Sequence, residues 1–113
     1  MKLAAITQKT TKTSMPFDDD VLNYEFKHAL ITPALVADIQ RLIEASVSAE
    51  NILAISTHIV SLVTTWDLID EDGAMFPLDA KRIAHEVPLV FQATLITDMI
   101  SKMRQGEANA PGA

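Results

Sequence analysis

The chain has 113 residues, 49% of them hydrophobic, and nine basic against fifteen acidic side chains give it a net charge of −6. That length suits one domain, able to bury roughly 65% of its unfolded surface in a single core. The absence of cysteine excludes disulfides, thiol catalysis and thiolate metal sites.

In chain order, residues 1–20 form a lead rich in Thr and Lys that ends in Pro16 and the run Asp18-Asp19-Asp20. Its apolar stretch stops at Gln8, short of the ~7–15 residues a signal peptide needs. The three aspartates read as a turn, because short acidic side chains bond their own backbone. Leu22, Tyr24 and Phe26 then alternate with Asn23, Glu25 and Lys27, which predicts a strand, with Lys9 to Met15 as its hairpin partner.

Thr32-Pro33 is a helix start, a capping hydroxyl before proline at the first helical position. Leu35, Val36, Ile39, Leu42, Ile43 and Val47 fall in one arc of about 140°, predicting an amphipathic helix that ends near Ser46 to Ser48. A second helix is expected over Ala49 to Trp66. From Asn51 this segment is sixteen residues without charge, too short to span a bilayer. One half is apolar and closes on Trp66, an expected core anchor. The other half carries Thr57, His58, Ser61 and Thr65, so the rest of the domain or a partner should cover it.

Asp67 to Pro77 reads as an acidic loop. A short helix capped by Asp79 should run to about Val87, and a last one from Leu89 to about Arg104. Residues 105–113 have the composition of a disordered tail. The expected fold is therefore mainly α, with about four helices and an N-terminal β-hairpin, in one domain over 21–104.

No catalytic, cofactor or metal site emerges. Placing Gly73 at the sixth position of a calcium loop puts Asp70, Asp72 and Asp79 at ligand positions. It also puts Leu68, which cannot ligate, at the first. His28, His58 and His85 have no zinc spacing, and there is neither a nucleophile motif nor a Gly-rich phosphate loop. Lys and Arg are scattered rather than gathered into the basic stripe that displaces counterions from phosphates, which argues against nucleic acid.

Protein binding remains. On the last helix Val90 and Phe91 fall outside the main apolar arc, beside Thr94, Asp98 and Lys102. They belong either to a wider buried face, the favoured reading, or to a partly exposed patch. On the patch reading Phe91 and Val90, with the adaptable Met99 and Met103 and the loop pair Met75-Phe76, form a partner-binding surface. The hydroxyl-lined face at Thr57, Ser61 and Thr65 is the next choice.

Leu22-Asn23-Tyr24-Glu25-Phe26 leading to Ala29-Leu30-Ile31-Thr32-Pro33-Ala34-Leu35 resembles the strand-to-helix entry of tail assembly chaperones from long-tailed bacteriophages. Trp66-Asp67-Leu68-Ile69-Asp70-Glu71-Asp72-Gly73 with Pro77-Leu78 is similar to that family's mid-chain signature. The resemblance covers about residues 20–104 and leaves the lead at 1–15 outside it. It implies a non-enzymatic protein of the host cytoplasm that coats the long, apolar, helical tape measure protein until the tail tube assembles, and is absent from the mature virion. The tail tube protein is a further implied partner, and many members are also made in a longer, frameshifted form. Homo-oligomerisation stays open. A tail completion or connector protein of the virion, or a degenerate calcium-binding module, are the alternatives.

Overall fold

A computed structural model describes residues 1–109 of the chain, with side chains in the last helix as far as Arg104. A short helix, α1 (Leu3–Thr7), leads into the hairpin β1 (Thr11–Phe17) and β2 (Asp20–Phe26). A single 3₁₀ turn, His28–Leu30, precedes α2 (Pro33–Glu44) and α3 (Ala49–Leu62). Then come β3 (Val63–Trp66), α4 (Ala80–Glu86) and α5 (Leu89–Asn109). The expectation of a mainly α chain with four helices is thereby corrected. The described residues form a mixed α/β domain of five α-helices on a three-stranded antiparallel sheet of order β1-β2-β3.

The third strand comes from the end of the segment expected to be helical. Val63-Thr64-Thr65-Trp66 is β-branched and aromatic, which suits extended backbone better than helix. Val63 turns extended at φ −80°, ψ 125°. Tyr24 then pairs with Trp66, Glu25 with Thr65 and Phe26 with Val63, so the register slips by one residue at Thr64. This bulge turns both Val63 and Trp66 into the core while Thr64 and Thr65 face out.

The helix starts follow the sequence signals. The Thr32 hydroxyl accepts from Leu35 N–H at 3.2 Å, the Ser48 hydroxyl from Asn51 N–H at 3.1 Å, and the Asp79 carboxylate from Lys81 N–H at 3.0 Å. Pro88 opens α5, its carbonyl accepting from Gln92 N–H. That helix continues through residues 105–109, the first part of the stretch read as a tail. Residues 110–113 lie outside the described residues.

The core sits between one sheet face and the helices. Met15, Leu22, Tyr24 and Phe26 meet Ile39 of α2, Ile55 and Ile59 of α3, Ile83 of α4, and Leu95, Ile96 and Met99 of α5. Part of the uncharged half of α3 faces solvent: Thr57 and Ser61 are exposed, and their hydroxyls bond back to the carbonyls of Leu53 and Thr57, while Ala54 and His58 are half-buried. Buried polar groups are paired. Gln92 accepts from the Ser56 hydroxyl at 2.6 Å and donates to the carbonyls of Ile83 and Val87, tying α5 to α3 and α4.

The hairpin lies at one edge of the sheet. Its outer strand β1 ends at Pro16-Phe17, and Lys102 of α5 donates to the Ser14 carbonyl on the outer edge at 3.4 Å. Its two-residue turn, Asp18-Asp19, holds Asp18 at φ 56°. A left-handed conformation costs a side-chain-bearing residue roughly 1–2 kcal/mol, whereas glycine adopts it freely. Asp18→Gly should therefore stabilise the fold by about 0.5 kcal/mol after the added freedom of the unfolded chain is subtracted. Urea denaturation should show a higher midpoint with an unchanged slope.

Candidate partner-binding surfaces

The six residues of the sequence-derived patch separate. Val90 is 63% exposed and Met75 50%, whereas Phe91 (8%), Phe76 (7%) and Met99 (0%) belong to the core and Met103 is half-buried against it. Phe91 thus lies in the wider buried face, the favoured of the two readings, while Phe76, read as part of an exposed loop pair, is buried. Phe91 packs edge-on against Phe17 with ring centroids 5.0 Å apart, because the sheet covers the flank of α5 on which Phe91 lies. Phe76 sits against Trp66 at 6.5 Å, under the Arg82 guanidinium at 4.9 Å.

The charged neighbours that made this flank look solvated have partners on the sheet. The Tyr24 hydroxyl donates to Asp98 at 2.6 Å, and Lys102 lies 3.9 Å from the same carboxylate. Burial, followed by the bond to Asp98, raises the Tyr24 hydroxyl above the ordinary phenol range, so it remains a donor at any physiological pH.

What stays open is a second flank of α5. There Val90 stands beside exposed Ile43 and Val47 at a groove of about 240 Å³ where α2, α3 and α5 meet. Leu42, Ile52, Ile55, Leu89 and Ala93 line its floor and walls. Ile43 and Val47 were read as core positions of an amphipathic helix. α2 instead stops at Glu44, and Val47, in the connection to α3, turns outward.

The mid-chain signature is spent on its own loop. Asp67 clamps β2, accepting from Asn23 N–H at 2.8 Å and from the Asn23 amide at 2.6 Å, while its own N–H donates to the Asn23 carbonyl. Trp66 Nε1–H donates to the Phe76 carbonyl at 2.8 Å, closing the loop across its base. An Asp70 carboxylate oxygen accepts from Asp72 and Ala74 N–H, and Gly73 supplies the left-handed φ of 80°. One Asp70 oxygen thus already bonds two amides of its own loop. Among the described residues no group of three or more His, Cys, Asp or Glu side chains is placed to hold a metal. Ile69 and Met75 bridge at the neck of the loop with both side chains exposed.

The remaining polar cluster joins α2 to α3. Asp38 accepts from Arg41, and His58 Nε2 lies 2.9 Å from its other oxygen. The Arg41 bond, then the contact with His58, holds the Asp38 carboxyl below its usual range. His58 thus ties α3 to α2 through Asp38.

No helix among the described residues is long and apolar enough to cross a membrane. In comparisons with known proteins, no family model, curated protein or solved structure matches this chain.

Proposed function

We propose that the protein is a tail assembly chaperone of a long-tailed bacteriophage. It binds the apolar, helical tape measure protein in the host cytoplasm, keeps it soluble until the tail tube forms, and is left out of the finished virion. The observation that carries this reading is the groove framed by Ile43, Val47 and Val90, three exposed aliphatic side chains over an apolar floor. A groove of this kind takes the apolar stripe of a partner helix, and repeated stripes along one long partner would admit many copies. The net charge of −6 would keep such complexes dispersed. No cofactor or nucleotide enters this activity.

The test is co-expression with a tape measure protein of a long-tailed phage. The wild-type chain should bring that partner into the soluble fraction and co-purify with it. Val47→Asp and Val90→Asp should each cut the soluble partner severalfold, with circular dichroism and melting point unchanged, since both side chains lie outside the core. A partner that stays insoluble beside the wild-type chain, or one solubilised equally well by both variants, overturns the reading. Recovery of the chain in purified particles would instead identify a structural tail component.

A further inference from the structure

The molecule carries an unused apolar helix at one end of its hairpin and an unused apolar cleft at the other, with opposite charge. None of the residues of α1 is buried; Leu3 is 74% exposed, and Ile6 is exposed too. Residues 1–17 contain Lys2, Lys9 and Lys12 and no acidic side chain, in a chain whose net charge is −6. At the far end, a cleft of about 350 Å³ is lined by Phe17, Val21, Leu68 and Ile69 together with Asp20 and Asp67. Val21 and Ile69 are more than half exposed there, and Met75, bridged to Ile69 beside the cleft, is 50% exposed. The turn Asp18-Asp19-Asp20 and the loop residues Asp67, Asp70, Glu71 and Asp72 add seven carboxylates, more than the whole net charge of the chain. Arg82 lies close enough to Asp70 to feel its charge, but it is bonded to Glu86 at 2.7 Å.

Within one chain these two surfaces are held apart. α1 packs by the 3₁₀ turn at His28–Leu30, where Thr11 pairs with Phe26 and its hydroxyl bonds His28 at 2.7 Å. The acidic turn lies at the other end of β1, whose seven residues span about 20 Å. We propose that α1 of one copy docks on the acidic, apolar cleft of a second copy. Leu3 and Ile6 would bury against Val21 and Ile69, and Lys2 and Lys9 would face the carboxylates. The contact is head-to-tail, so each copy keeps one free helix and one free cleft. It is also small and charge-assisted, so association is weak and falls with added salt.

Sedimentation equilibrium of the full chain tests this without any partner protein, so its failure would leave the proposed function standing. At low ionic strength the apparent mass should climb with concentration past that of a monomer, and the climb should vanish at high salt. A helix variant, Leu3→Ser with Ile6→Ser, and a cleft variant, Ile69→Ser with Met75→Ser, should each run as a monomer. Mixed together they should form a one-to-one dimer and stop there, because each supplies the half the other lacks. A wild-type chain that is monomeric at every concentration in low salt overturns the proposal. So does a wild type that associates while the mixture of variants stays monomeric.

Discussion

Trp66→Ala should destabilise the domain by about 3–5 kcal/mol, the range for removing a large buried aromatic. Trp66 is 4% exposed, in β3 at the junction of sheet and loop. The substitution leaves a cavity where the ring met Phe76, and it removes the only donor that the structure gives to the Phe76 carbonyl from the Trp66 side. It also weakens the pairing of Tyr24 with residue 66, the outer end of the β2–β3 ladder. A domain of this size has only about 5–15 kcal/mol of stability. The variant should accordingly be partly unfolded near body temperature, seen as a fall in both the melting point and the urea midpoint. A melting curve that matches the wild type would mean that the ring is not part of the core.

Phe91→Asp should unfold the chain at 25 °C. Phe91 has Phe17 edge-on at 5.0 Å and the rest of the sheet–α5 contact around it. A carboxylate there would be buried among apolar side chains. Removal of the ring alone, in Phe91→Ala, should cost about 3–5 kcal/mol. Val90→Asp is the internal control, one residue away and open to water. Circular dichroism should show random coil for the first and a native spectrum for the control. Two native spectra would place Phe91 at the surface after all.

These neighbouring residues show how far the sequence could be read. Val90 and Phe91 both lie outside the stripe of α5, and Asp98 and Lys102 beside them looked like markers of water. The hydroxyl of Tyr24 and the carbonyl of Ser14 answer those two charges from strands distant in sequence, a pairing that no periodicity within the helix can reveal. The helix caps at Thr32 and Asp79 were legible because a cap acts within three residues. β3 was not, for a different reason. A bulge sends Val63 and Trp66 to the same side at a spacing of three, which is also the spacing of a helix face. In α3 the uncharged half suggested a covered surface, yet its hydroxyls satisfy themselves on the preceding turn and need no cover. The groove at Ile43, Val47 and Val90 joins three elements, so it could be found only after they were assembled.

The outer edge of β1 bears on how the sheet meets other extended chains. A bare edge strand offers a template on which another extended chain can add, and amyloid grows that way. Here the Ser14 carbonyl points outward and is taken by Lys102, and Pro16, two residues on and in the same orientation, has no N–H to offer. The sheet therefore ends at β1. On this edge an extended chain would meet a Ser14 carbonyl already bonded and no N–H at Pro16, so strand addition there is disfavoured.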